Sequence, residues 1–283
     1  MSKFYNPRKS AKYLFDPASK EPFRISRSKI DLFVDCPLCF YLDIRLGVGR
    51  PPGFPLTLNV AVDELLKKEF DVHRLAETRH PFMEAYGIDA VPFNHPDMDK
   101  WRDSLKRGVE FVHPATNLSV RGGVDDIWQD RKTGELIVVD YKATSKREAI
   151  SLEGDLGAQY KRQMEVYQWL LRQNGFKVAD TGYFVYVNGN KDAQAFDKKL
   201  EFDVVLLPCK GDTSWVEPIL LKLKECLLSD VPPASSPECD HCSYRKAARD
   251  VQIEQAAKVK KDGSAEASKD AGTAKKRGSA FAS

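Results

Sequence analysis

Arg121–Thr144, RGGVDDIWQDRKTGELIVVDYKAT, is the stretch whose reading decides the fold. It predicts a hairpin. GGVDDIWQD forms one strand, RKTGE a turn closed by Gly134, and LIVVDYKA a second strand. The second strand opens on Leu136, Ile137, Val138 and Val139, an unbroken apolar run of the kind found in a central strand buried on both faces. Side chains two apart on a strand share a face, so Asp140 and Lys142 project together. Charges at the end of such a run are costly to bury unless they are paired or bind metal. Two other Asp-x-Lys triplets, starting at Asp130 and Asp197, lack that apolar run. With Asp125 on the first strand, the pattern offers two carboxylates and an ammonium to a hard divalent cation and a water. An ordinary salt bridge is the competing explanation.

A helix follows. In QYKRQMEVYQWLLRQNGF, residues 159–176, the apolar positions Met164, Tyr167, Leu170 and Leu171 recur at helical spacing, and Gly175 is a stop signal. Gln163 and Tyr167 lie four apart, on one helix face. Taken in order, Gly122 and Asp125, then Asp140 and Lys142, then Gln163 and Tyr167 resemble the signature of the PD-(D/E)XK nuclease superfamily. Within it the resemblance is to the RecB-type branch that includes the CRISPR-associated exonucleases. SRSKIDLFVDCPLCFYLDIRLGV, residues 26–48, is similar to the family's leading helix, and PPASSPECDHCSYR, residues 232–245, to its C-terminal cysteine segment. Ser28 with Asp31 three later predicts a capping box for that leading helix.

The resemblance implies an α/β fold: a restriction-endonuclease-like core with a mixed central sheet flanked by helices, an N-terminal helical segment and a C-terminal cysteine segment. It implies a metal-dependent nuclease hydrolysing phosphodiester bonds, an exonuclease acting on single- or double-stranded DNA in repair, recombination or defence. A helicase or CRISPR adaptation proteins are the partners it implies. Asp125, Asp140 and the backbone carbonyl of Tyr141 would hold Mg²⁺ or Mn²⁺. Lys142 would orient the attacking water, and Gln163 and Tyr167 would support the site or touch the nucleic-acid backbone. Asp126, next to Asp125, should face the opposite side of its strand. One departure stands out. Many relatives carry a histidine on an upstream helix, and here, in LNVAVDELLKKEFDVHRL, residues 58–75, the matching position holds Asp63. Aspartate ligates both metals, so Asp63 joins the expected ligands, with Glu64 beside it. The same departure supports a second expectation, a catalytically degenerate nucleic-acid-binding relative with a structural metal clip.

Six cysteines form a second constellation. The opening stretch, MSKFYNPRKSAKYLFDP, is charged and punctuated by proline, unlike an apolar signal segment, so a cytoplasmic setting is expected. There, cysteine pairs suggest metal more than disulfides. Cys36-x-x-Cys39 and Cys239-x-x-Cys242 offer four thiolates, suited to zinc or to an iron–sulfur cluster. The resemblance implies a [4Fe–4S] cluster, usually on one upstream and three downstream cysteines. This chain offers two and two, which keeps Zn²⁺ as the alternative. Cys226 reads as a small buried hydrophobe in an amphipathic helix, and Cys209 has no obvious partner.

Charge bounds little. The chain carries a net +3, and its last 28 residues hold seven Lys or Arg against three Asp or Glu, so the remaining body is close to −1. A nucleic-acid surface therefore has to be a local patch, such as Arg24, Arg27 and Lys29, or Lys142, Lys146 and Arg147. The expected organisation is an N-terminal extension over 1–25, a nuclease-like domain over 26–255, and a Lys/Ala/Ser-rich tail over 256–283 that buries no core and should be disordered. No run of about twenty apolar residues occurs, so no membrane span is expected. In outline, 28–110 reads as helical apart from irregular Pro-rich stretches around 50–56 and 92–96, with strands near 117–129 and 135–143 and a helix at 157–174. Strands near 181–188 and 199–207 and a helix near 214–229 complete it.

Overall fold

The computed structural model describes residues 6, 8–53 and 57–277 of the chain. It divides into two compact units, Met1–Pro233 and Ala234–Ser283. In the first, β1 (Phe23–Ser26) leads into α1 (Arg27–Asp35) and α2 (Pro37–Ile44), and then α3 (Thr57–Ala76). Short elements follow: α4 (Pro81–Ala85), β2 (Ala90–Pro92), α5 (Met98–Arg102), β3 (Val109–His113) and β4 (Leu118–Gly122). β5 (Asp126–Asp130) and β6 (Leu136–Thr144) make the hairpin, α6 (Asp155–Gln173) crosses over, and β7 (Thr181–Gly189), β8 (Phe202–Lys210) and α7 (Val216–Leu228) close the unit. The second unit carries α8 (Asp240–Arg277). No described helix is long and apolar enough to cross a membrane.

The main sheet has five strands in the order β2-β5-β6-β7-β8. β6 is its central strand and pairs antiparallel with β5 and parallel with β7, so the sheet is mixed, and helices cover it as expected. The apolar run of β6 divides between two cores. Leu136 and Val138 join Met164, Leu170 and Leu171 of α6, whereas Ile137, Val139 and Tyr141 join Leu66 and Phe70 of α3. Period-two alternation therefore sends Asp140 and Lys142 toward α6 and Tyr141 toward α3. Fully buried Trp128, Phe70 and Phe184 each stabilise the fold by roughly 1.5–3 kcal/mol through lost water contact. At the far end of α6, Gly175 takes φ +86°, its N–H meets the Arg172 carbonyl at 3.0 Å, and Phe176 N–H meets that of Leu171 at 3.2 Å. This is the αL stop, of Schellman type, that the sequence signals.

Three expectations need correction. GGVDDIWQD is not one strand. β4 ends at Gly122 in a separate three-stranded sheet, ordered β1-β4-β3, and β5 begins only at Asp126, so Asp125 lies in the connection between two sheets. The stretch 28–110 is not wholly helical, since β2 and β3 interrupt it and α5 is a single short helix. The capping box is absent. Ser26 is the N-cap of α1 without a side-chain cap bond, and Asp31 instead takes bonds from Gln159 Nε2 at 2.8 Å and Arg162 Nε at 2.6 Å, both on α6. Two charge-assisted or amide bonds to a buried carboxylate outweigh one local cap.

The backbone of the tail is helical as far as Arg277. Its Ala- and Lys-rich composition favours helix locally but supplies no apolar face to pack.

Candidate active site

The site grows from the end of β6. Asp140 is fully buried, and Lys142, two residues on, ion-pairs with its carboxylate from the same face. α6 runs across that face and brings Gln163, whose Nε2 donates to Asp140 Oδ1 at 2.9 Å and to the Tyr167 hydroxyl at 3.0 Å. Lys142 Nζ also reaches Gln163 Oε1 at 3.4 Å and lies 4.7 Å from the centre of the Tyr160 ring. Gln163 thus ties both motif residues of α6 to the strand carboxylate, a consequence of their four-residue spacing. Gly122 makes room for this. A Cβ there would sit 2.5 Å from the Tyr167 ring, so only glycine lets Tyr167 approach.

Asp125 enters from the link between the sheets. Its Oδ2 accepts the Tyr141 N–H at 3.0 Å, which fixes the carboxylate beside β6. Asp126 turns to the other side of the sheet. It is completely buried against Arg74 of α3, Arg102 at 3.2 Å and the Tyr141 hydroxyl at 2.7 Å. Arg102 further holds Asp71 through two 2.9 Å bonds and donates from Nε to the Asp125 carbonyl at 3.1 Å. A cage of two arginines and two aspartates thereby sets the backbone of Asp125 from behind.

A cleft of about 420 Å³ opens over these groups and is lined by Asp63, Asp125, Tyr141, Lys142 and Gln163, together with Arg27, Asn59 and Tyr160. Asp140 and Tyr167 lie behind its wall, both buried. Asn59 Nδ2 donates to the Ala143 carbonyl at 2.8 Å and so pins the start of α3 to the end of β6. That places Asp63, one turn further, in the cleft, whereas Glu64 beside it is exposed to solvent. His73 is occupied elsewhere, bonded to Thr78 at 3.0 Å. Lys67, one turn beyond Asp63, bonds Asp63 at 2.6 Å and stands 3.7 Å from Asp125.

Electrostatics follow burial. Burial pushes the Asp140 carboxyl up to about 7, Lys142 opposing and Asp125 adding to it. Burial alone would lower the Lys142 ammonium, but Asp140 and Asp125 outweigh it and its pKa rises. Burial, and then the charge of Asp125, raises Asp63. Burial also raises the Tyr167 hydroxyl. The donors facing the cleft are carboxylate, amide and carbonyl oxygens, the chemistry of a hard Mg²⁺ or Mn²⁺ site.

Among residues not singled out in the sequence, Lys67 could have been found from its four-residue spacing to Asp63. Arg102 and Asn59 act through contacts distant in sequence and left no such signal. The basic patches named above are largely engaged: Arg24 with Glu110, Arg27 with Asp31, Lys29 with Asp43 and Arg147 with Asp192.

Cys36 and Cys39 in the first unit and Cys239 and Cys242 in the second are all buried, and each pair offers thiolates of the kind that hold a metal ion. Cys209 is buried and Cys226 half-buried.

Set against known proteins, residues 49–247 match the family model described as the PD-(D/E)XK nuclease superfamily. No curated protein matches the chain. Among solved structures, the crystal structure of SSO0001 is similar over 76% of this chain and 80% of that one, at 16% identity and a TM-score of 0.33.

Proposed function

The chain belongs to the PD-(D/E)XK nuclease superfamily, and from that premise we propose that it is a divalent-metal-dependent deoxyribonuclease of the RecB-type branch, similar to the CRISPR-associated exonucleases. The observation that carries the reading is the meeting of Asp125, Lys142 and Gln163 in one cleft with Asp140 directly behind. Asp125, Asp140 and the Tyr141 carbonyl would hold Mg²⁺ or Mn²⁺, with Asp63 facing the same cleft. The bound ion supplies Lewis-acid polarisation of the phosphate and a more acidic water. Lys142, held by Asp140 and the Tyr160 ring, presents its ammonium to the water and to charge that builds on the phosphate. Gln163 keeps Asp140 oriented, and Tyr167 in turn keeps Gln163. Residues 26–255 make up the proposed nuclease domain.

End-labelled single- and double-stranded DNA, with RNA alongside, tests substrate and polarity. Mononucleotides released from one end support an exonuclease acting on DNA. A competing reading, a nucleic-acid binder without activity, has Asp63 in place of histidine in its favour. Retained binding with no cleavage in either metal would establish it.

The raised Asp140 carboxyl sets a pH dependence. The folded state keeps this proton up to about pH 7, whereas an unfolded aspartate loses it near ~4. Ionising Asp140 therefore costs stability in the metal-free protein as pH rises through that window. A metal has to displace the same proton. Stabilisation by Mn²⁺, read as the rise in Tm at fixed concentration, should grow by up to ~1.4 kcal/mol per pH unit below about 7 and level off above. A pH-independent rise would remove Asp140 from the ligand set.

For the cysteine group, the two-and-two arrangement of Cys36-x-x-Cys39 and Cys239-x-x-Cys242, in place of one upstream and three downstream, favours zinc. Elemental analysis should find about one zinc per chain, lost in Cys239→Ser. Iron, with visible absorbance in anaerobically purified protein, would overturn the zinc assignment.

A further inference from the structure

Lys67 is a charged group beside the cleft, paired with two of its lining carboxylates and without a role in the proposed reaction. Its ammonium lies 2.6 Å from Asp63 Oδ2 and 3.7 Å from Asp125 Oδ1. The Lys67 side chain is 22% exposed, that of Asp63 30% and that of Asp125 24%, so all three are partly shielded from solvent. An ordinary helix pair would end at Asp63, four residues away on the same helix. Lys67 goes further and meets a carboxylate carried by the link between the two sheets. It bridges two acids that belong to different elements and would otherwise repel.

Charge balance indicates what that position does. With all three carboxyls ionised, as metal binding requires, Asp63, Asp125 and Asp140 bring three negative charges, and Lys67 and Lys142 two positive ones. One divalent cation takes this set to a net +1. A second would take it to +3, with an ammonium already between the two carboxylates that such an ion would need. Resting on the nuclease reading, we propose that Lys67 stands in place of a second divalent cation and limits the cleft to a single Mg²⁺ or Mn²⁺, held by Asp125 and Asp140. Asp63 then serves as the counter-ion of Lys67, and it becomes available as a metal ligand only when that ammonium is gone. Lys67 is a positioning and specificity-determining residue in this arrangement.

The test is a count. Mn²⁺ bound per full-length chain is measured by electron paramagnetic resonance of the free ion, with calorimetry alongside. Asp140→Asn supplies the background from any other site. The wild type is expected to bind one ion above that background, Lys67→Arg one, and Lys67→Met two. A purely structural helix pair would change stability slightly and leave the count alone. A count of two in the wild type, or of one in Lys67→Met, overturns the proposal and leaves the nuclease reading standing. If Lys67→Met fails to fold, Lys67→Gln is counted in its place, with two ions expected and one overturning the proposal. No ion above background in the wild type would defeat both.

Discussion

Asp140→Asn is expected to lower single-turnover cleavage by about a thousandfold or more, with the fold intact. Lewis-acid stabilisation of a phosphoryl transition state contributes several kcal/mol, and each ~1.4 kcal/mol is a factor of ten in rate. Asp140 is fully buried, accepts from Gln163 at 2.9 Å and pairs with Lys142, so its loss removes the ligand and the anchor of the lysine together. Asparagine keeps the volume and can still meet Gln163, which protects the packing against α6. Lys142→Met extends the argument to the water. It should also abolish cleavage while leaving Mn²⁺ binding in place. Undiminished cleavage in either variant under single-turnover conditions would move the chemistry out of this cleft.

The second large effect is on stability. Asp126→Ala should destabilise the protein by about 3–5 kcal/mol, the range for breaking a buried ion pair from one side. Arg74 and Arg102 would be left facing each other beside Asp71 alone, and the Tyr141 hydroxyl would lose its partner. For a chain of this size that corresponds to a fall in Tm of roughly 10 °C. Asp126→Asn, which keeps the shape and one acceptor, should cost less. Because Arg102 also holds the Asp125 carbonyl, residual folded protein should bind metal more weakly. A change in Tm below about 2 °C for Asp126→Ala would show that the cage contributes little.

Much of this was legible in the chain. The apolar run Leu136–Val139 marked the centre of the sheet because only a strand covered on both faces can carry four such residues in succession. Period-two and period-four spacing then predicted which of Asp140, Lys142, Gln163 and Tyr167 share a face. What failed was local punctuation. Gly122 and Gly123 read as an ordinary strand start, yet they mark the passage from one sheet to the next, because glycine there answers to Tyr167 and Ser104 across space. Ser28 and Asp31 matched a cap in spacing, but Asp31 is claimed by α6, more than a hundred residues away. Strands as short as β2 leave too few residues for any alternation to show.

The link at Gly123–Asp125 has a mechanical consequence. The three-stranded and five-stranded sheets share no strand pairing, and this link joins β4 of one directly to β5 of the other. Any displacement of one sheet against the other would have to pass in part through these three residues, one of which is Asp125. Substitutions on β1 or β3, remote from the cleft, are therefore expected to tune the reaction by slackening or tightening that joint. Laboratory selection for altered rate should recover such distant changes as readily as changes in the cleft wall.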